Sequence, residues 1–384
     1  MLLRLILRNT MRHKLRTVLT IIGIAVAVMA FGMIRTVIDA WHSGVKGSSP
    51  DRLITRSSIS IIFSLPFSYR DQLAKIDGVE RVTFANWFGG TYQDPDNFFA
   101  QFAVDKDTYF KVFPEFVISA EAMKAFDDNL RGVIVGKKLA DRFGWKVGDR
   151  ITLIGTVYYG NHDFDIVGIY TGRDPTVDES TFFMRWDYVD EWVKKNWGGY
   201  PSEIGWFALQ LSDPSRSAEI SAAVDARFKN SSAETKTETE KAFQQSFVAM
   251  SGAILLLMTV MSWLIIGVIL MVLINTMAMT ARERTREYAY MKSMGFRGSH
   301  LFRMIFGEAT IIALVGGGVG IVFLLGVVNL MKAALGAWFP VFAVQTLTFI
   351  LVLTIALAIG AISSIFPVKK ALGMRIVDGL RTID

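Results

Sequence analysis

The chain has 384 residues, 52% of them hydrophobic, and 41 Lys+Arg against 35 Asp+Glu give a net charge of +6. Cysteine is absent, which excludes disulfides and thiolate metal sites, and the four scattered histidines (His13, His42, His162, His300) form no metal-site spacing with acidic residues. The apolar excess over the ~45–50% of soluble domains is modest, but it is gathered into four charge-free runs, which excludes a wholly soluble chain.

Leu2–Arg16 reads as an amphipathic helix on a membrane surface. Leu2, Leu5, Ile6 and Met11 lean to one side, and Arg4, Arg8, Arg12, Lys14 and Arg16 bring charge with no acid. Thr17–Ile34 carries no charge. It reaches the ~20 residues needed to cross a bilayer if Arg35 snorkels outward and the span runs to Ile38. Gly23 and Ala27 stand at small-xxx-small spacing, which favours close helix packing, and Trp41 suits an interfacial belt. Ala25-Val26-Ala27 resembles a leader cleavage site loosely. Cleavage there leaves Val28–Ile34 apolar, so the segment is expected to stay as a span.

Residues 39–246 form a mixed domain with 24 Lys+Arg against 30 Asp+Glu, a balance of −6. Helical patterns at Ser68–Ile76, Lys137–Phe143, Trp186–Lys195 and Ala218–Phe228 alternate with strand patterns. The strands are expected at Gly78–Asn86, Phe99–Val104, Gly132–Val135, Arg150–Ile154, Asp165–Tyr170 and Phe207–Leu211. Gly144 closes the second helix. The alternation predicts an α+β domain. Its aromatics (Phe84, Trp87, Phe88, Tyr92, Phe98, Phe99, Phe102, Trp186, Trp192, Trp197, Trp206) predict an ordinary core more than a ligand groove. No nucleophile elbow or triad spacing occurs. Gly132-Val-Ile-Val-Gly136-Lys137-Lys138 is one residue short of a phosphate loop and lacks its Ser or Thr. The polar stretch Asn230–Lys241 is expected to lead straight into a long second helix.

Ala242–Ala281, Ala309–Met331 and Ala333–Val368 are free of charge over 40, 23 and 36 residues, long enough for three more spans. Gly316 and Gly320 have GxxxG spacing. Glu308 stands near the start of the third span, where a carboxylate needs a partner; Arg303 or Arg16 is expected to supply it. The segment between spans two and three carries Arg282, Arg284, Arg286, Lys292, Arg297 and Arg303 against Glu283 and Glu287. Glu283/Arg286 and Arg284/Glu287 are i,i+3 pairs, Tyr288, Met291 and Met294 form a partly apolar face, and Gly295 can close the helix. Such a segment suits being gripped by a partner. The tail adds Lys369, Lys370, Arg375 and Arg381. The basic excess of both ends and of 278–304 places them in the cytoplasm and the large domain outside. These basic patches abut spans, so nucleic acid is not expected as a partner.

Several stretches resemble MacB/FtsX-type ABC-transporter permeases. They are Arg8-Asn9…Arg12-His13-Lys14-Leu15-Arg16-Thr17, Gly132–Gly136 with Leu139–Asp149, Phe164–Ile169, Glu283–Gly295 with Glu308-Ala309, and Pro367…Ala371…Leu380-Arg381. Tyr288, where Ile is usual, and Ile376, where Pro is usual, depart from the pattern. The resemblance implies a non-catalytic subunit of a type VII (mechanotransmission) system with no fused ATPase. It holds no cofactor or metal itself, and a separate ABC ATPase, in two copies, binds ATP and Mg. The implied fold is α-helical in the membrane, with four transmembrane helices and a large two-lobed α+β extracytoplasmic domain.

The expected parts are a surface helix (1–16), spans at 17–38, 247–277, 305–331 and 345–368, and a cytoplasmic tail at 369–384. The core domain is 39–246, its membrane-proximal lobe about 45–100 and 204–241, its distal lobe about 101–203; an FtsX-like domain covers about 255–376. Within the 278–304 loop, Arg282, Glu283, Arg284, Arg286, Glu287, Tyr288, Met291, Lys292, Met294 and Gly295 are the expected coupling residues. The chain would sit in a bacterial inner membrane as a homodimer or a heterodimer with a paralogue, with an adaptor or lipoprotein carrier as a further partner. The expected function is ATP-driven export or extraction of a lipoprotein, lipid, peptide or drug. The alternatives are an FtsX-like activator of an extracytoplasmic hydrolase and a membrane scaffold without an ATPase.

Overall fold

The structure, a computed structural model, describes residues 14–42, 47–95, 97, 99–198, 202–335 and 342–377. Most of the expected surface helix, Phe98 and Leu380-Arg381 lie outside them.

The first described helix is α1 (Lys14–Trp41). The outer unit follows with β1 (Arg52–Ser57), β2 (Leu65–Pro66), α2 (Tyr69–Leu73), β3 (Val79–Trp87), β4 (Gly90–Thr91) and β5 (Gln101–Val104). Next come α3 (Tyr109–Val112), β6 (Phe116–Val117), α4 (Ala120–Asp128), β7 (Gly132–Gly136), α5 (Lys137–Phe143), β8 (Arg150–Gly155) and β9 (Gly160–Gly172). The unit ends with β10 (Phe182–Arg185), α6 (Trp186–Asn196), β11 (Glu203–Ile204), β12 (Trp206–Leu211), α7 (Ser217–Arg227), β13 (Thr235–Thr239) and α8 (Glu240–Met250). Four helices remain: α9 (Gly252–Glu283), α10 (Thr285–Ser293), α11 (Gly298–Leu335) and α12 (Thr346–Gly373). Two compact units result. One holds the described residues of 1–39, 252–332 and 342–384, the other those of 40–251 and 333–341.

The outer unit is built on a large mixed sheet of order β13-β1-β12-β3-β5-β10-β7-β9-β8-β4, with β6 added on β9. One end draws on 52–87 and 206–239, the other on 90–91 and 101–185. Both faces are covered, and the side-chain period of two sorts residues between them. Leu53, Phe84, Val133, Val135, Phe182 and Met184 enter one core. Their neighbours Ile54, Ala85, Ile134 and Phe183 enter the other. Phe84, Phe88 and Phe99 are core side chains, as an ordinary-core reading requires. Phe67 stacks on Trp186 with ring centroids 4.9 Å apart. Trp87 and Trp197 stay partly exposed.

The helix at Lys137–Phe143 ends on Gly144 in the left-handed region (φ +70°), a conformation that favours glycine. Several elements depart from the sequence pattern. Asn230–Lys241 is not a simple lead-in, because Thr235–Thr239 pairs antiparallel with β1 as an edge strand. β9 begins at Gly160, ahead of the expected start at Asp165, and β1 and β10 form where no strand was expected. The helix after β13 is interrupted at Ser251, giving α8 and α9.

In the membrane unit α1, α9, α11 and α12 are each at least 28 residues long. At 1.5 Å per residue each exceeds the ~30 Å hydrocarbon core. They pack through small residues. A Cβ on Gly316 would strike Ile24, and one on Gly320 would strike Val28 and the Ala25 carbonyl, so α1 lies directly on α11 there. Gly360 meets Ala309 and Ala313, bringing α12 equally close on another side of α11. Ala27 is buried, but Gly23 meets nothing within 4 Å, so among the described residues it packs against no other helix. Arg35 does not simply snorkel. It sits 3.3 Å from Asp39, whose other oxygen accepts a 2.7 Å hydrogen bond from Thr348 of α12.

Candidate functional site: the charged hairpin of the membrane unit

The segment joining α9 to α11 is a short helix braced on both sides. α9 stops at Glu283, and Thr285 Oγ1 donates to the carbonyls of Ala281 and Arg282, which α9 leaves without helical partners. α10 then runs to Ser293. Gly295 adopts φ +88°, its N–H donates to Lys292 O, and Phe296 N–H donates to Met291 O at 3.0 Å. This pair of bonds is a Schellman closure, and the open space around Gly295 shows that conformation, not crowding, selects the glycine.

Charge ties the hairpin to each of the other long helices. Arg16 of α1 donates two 2.7 Å bonds to the Glu283 carboxylate. Arg284 Nη1 lies 2.8 Å from Glu308 Oε2 of α11, and both side chains are buried, 4% and 9% exposed. Lys292 Nζ donates at 2.8 Å to the carbonyls of Leu372 and Met374 at the C-terminal end of α12. A cation there satisfies orphan carbonyls and complements the helix dipole. Glu308 therefore finds its partner in Arg284, and Arg16, one of the two expected candidates, is committed to Glu283.

Apolar contacts reinforce the ties. Tyr288 is only 2% exposed and clusters with Ala281 of α9, Leu301, Met304 and Ile305 of α11, and Val368 and Ala371 of α12. Burial pushes its hydroxyl up to about 12. Met291 packs against the same cluster. The expected outward face of Tyr288, Met291 and Met294 is thus split: the first two turn inward, and Met294 is 68% exposed. Sequence spacing places 288, 291 and 294 on adjacent turns but does not say which side the bundle occupies. The outward face consists of Arg282, Arg286, Tyr290, Met294, Phe296 and Arg297, with Glu287 half-buried beside it. Tyr290 and Phe296 went unnoticed in the sequence; their signal was aromatic side chains flanked by cations in a short connecting loop. The face is cationic and apolar together, which suits an acidic partner with an apolar groove.

Among the described residues no group of three or more His, Cys, Asp or Glu is placed to hold a metal ion.

Comparison with known proteins adds the following. Residues 17–227 match the MacB-like periplasmic core domain family, and residues 245–376 match the FtsX-like permease C-terminal family. An uncharacterized ABC transporter permease protein of Mycobacterium tuberculosis is 22% identical over 256 residues, covering 66% of this chain and 28% of that protein. A macrolide export ATP-binding/permease protein MacB of Rhodopirellula baltica is 32% identical over 127 residues, covering 30% of this chain and 17% of that protein. The chain therefore spans under a third of the length of either relative. The crystal structure of the extracellular domain of the noncanonic ABC-type transporter YknZ from Gram-positive bacteria aligns over 49% of this chain and 100% of its own, at 11% identity and a TM-score of 0.35.

Proposed function

The chain belongs to the MacB/FtsX-type ABC-transporter permeases, and from that premise we propose that it converts ATP binding on a separate ABC ATPase into motion of its extracytoplasmic domain. The observation that carries this reading is the wiring of the hairpin. Adjacent residues Glu283 and Arg284 are held by α1 and α11, and Lys292 by α12. A force on α10 is therefore felt by all four long helices at once. Packed helices shift as units and do not deform continuously, so a hairpin fixed at three points is a handle.

In this reading the 278–304 segment faces the cytoplasm, and two ATPases act on two permease chains, either two copies of this chain or this chain and a paralogue. ATP and Mg belong to the ATPase. Exposed Arg286, Tyr290, Met294 and Phe296 contact it. Arg284, Tyr288 and Lys292 pass the movement on without touching it. Motion leaves the membrane unit along the chain through residues 40–51 and 240–252. The cargo class is export or extraction of a lipophilic substrate, with an adaptor or carrier as a further partner.

Purification from its native host after mild detergent extraction tests the proposal. An ABC ATPase is expected to copurify, with its turnover altered by the permease in lipid. Recovery without any nucleotidase, or with one whose rate ignores the permease, contradicts it.

A further inference from the structure

Outside the hairpin, the most enclosed charge of the described chain is Arg52, on β1. Its side chain is 3% exposed. Nε donates to Glu240 Oε2 at 2.8 Å, Nη1 to Val112 O at 3.0 Å, and Nη1 and Nη2 grip both oxygens of Glu115 at 2.9 and 2.6 Å. The Phe113 ring lies 4.4 Å below the guanidinium. Burial works against the charge, but the two carboxylates outweigh it and hold Arg52 above the ordinary guanidinium value.

The three segments that meet on Arg52 have different roles in the chain. Glu240 opens α8, directly ahead of α9, and its Oε2 also accepts the Ser49 backbone N–H at 2.9 Å. Ser49 lies on the stretch that leads from α1 into β1. One carboxylate thus staples the chain leaving the first long helix to the chain entering the second. Glu115 lies on a strap, residues 109–117, that crosses one face of the sheet. At its far end Phe116 and Val117 pair with Gly172 and Thr171 of β9, and Arg173 N–H donates to Glu115 O. Along the way Tyr109 and Phe116 pack on Phe183 of β10, with centroids 5.4 and 5.0 Å apart. In the sheet order, β1 and β9 are separated by five strands.

Buried ion clusters are weak contributors to net stability, since desolvation offsets much of their attraction; what they do supply is a defined geometry. We infer that Arg52 is a positioning residue, the joint through which displacement at the paired chain exits (Ser49 and Glu240) reaches the strap and, through it, β9. The inference rests on the proposed function for the source of the displacement, but the joint itself is testable without an ATPase.

The test is amide hydrogen exchange on the full chain in lipid nanodiscs. Glu240→Ala is expected to speed exchange several-fold not only in α8 but also in 109–117 and at Arg173, and Arg52→Met is expected to do the same. Arg216→Gln, which breaks the surface pairs with Asp77 and Glu219, is the control and leaves the strap unchanged. Because Glu240→Ala and Arg52→Met act through one joint, the double variant is expected to match the single ones at the strap. Exchange changes confined to α8 and β13, or effects at the strap that simply add, overturn the inference. If either variant does not fold, Glu115→Gln is read in the opposite direction, with faster exchange expected at Ser49 and in α8. With the joint intact by exchange, failure of ATP to move spin labels at Val117→Cys and Lys236→Cys in the copurified complex counts against the proposed function and not against the joint. The absence of native cysteine makes such labelling clean.

Discussion

A carboxylate buried in an apolar helix bundle costs several kcal/mol unless it is paired, and Glu308 is paired by Arg284 at 2.8 Å. Removing one partner leaves the other charged and buried. Arg284→Ala is therefore expected to cost about 3–5 kcal/mol, read as a lower melting temperature in detergent. Arg284→Met combined with Glu308→Leu should recover most of it. Equal melting of Arg284→Ala and the parent contradicts the pairing. In the outer unit His162 is 1% exposed, with Nε2 2.8 Å from Tyr158 O and Nδ1 3.0 Å from Tyr188 Oη. Burial lowers its pKa, so the unfolded chain takes up a proton first as pH falls. The stability His162 contributes is complete above the ordinary imidazole value of about 6.5 and is lost as pH drops below it toward the folded value. Between pH 7.5 and 5 the parent should lose more melting temperature than His162→Phe; parallel curves contradict this. The pairing of Arg284 with Glu308, of Asp39 with Thr348, and of Arg52 with Glu115 and Glu240 was not legible in the sequence. These partners lie 24, 309, and 63 or 188 residues away, and local spacing carries no information about such distances.

At the scale of elements, the spans were legible because charge-free runs of spanning length have few other readings, and GxxxG spacing in α11 marked the contact with α1. The same motif in α1 did not transfer, since Gly23 faces open space. This asymmetry is testable. Gly316→Leu and Gly320→Leu should each destabilise the membrane unit by at least about 1–3 kcal/mol through overpacking, whereas Gly23→Leu should leave the fold of the single chain intact. The measurement is thermal unfolding in detergent, and equal effects at all three sites contradict the packing. Most of the long apolar strands of the outer sheet were legible from their runs, but β1, β10 and β13 were not. The β13 sequence Thr-Lys-Thr-Glu-Thr has no apolar face, and the strand is held from the side: Thr237 bonds to Thr55 at 3.0 Å, and Asp225 bonds to Thr235 Oγ1 and the Thr237 N–H. In the hairpin, charge and apolar spacing revealed a helix but not its orientation. The structure separates two substitutions that look alike in sequence. Met291→Asp, beside the Tyr288 cluster, should lower stability, whereas Met294→Asp should leave stability unchanged and abolish ATPase stimulation. Loss of stability in both, or of stimulation in neither, contradicts the assignment.

At the scale of the whole molecule, the two units differ in character. The membrane unit has closely packed helices wired at one hairpin. The outer unit is a two-faced sheet with the Arg52–Glu115–Glu240 ion cluster on its second strand, β1. Much of α1 and α9 still presents apolar side chains outward, among them Leu19, Ile22, Leu257, Val260 and Leu264. Lipid or a second permease chain would cover them, which fits the proposed pairing of two chains. The central claim is that an ATPase holds the outward face of α10. The most direct measurement is site-specific cross-linking from Met294→Cys, in an otherwise cysteine-free chain, in native membranes. The account predicts a nucleotide-dependent cross-link to an ABC ATPase, blocked by Arg286→Glu. Modification of that cysteine from outside intact cells, with no ATPase cross-link, would contradict it.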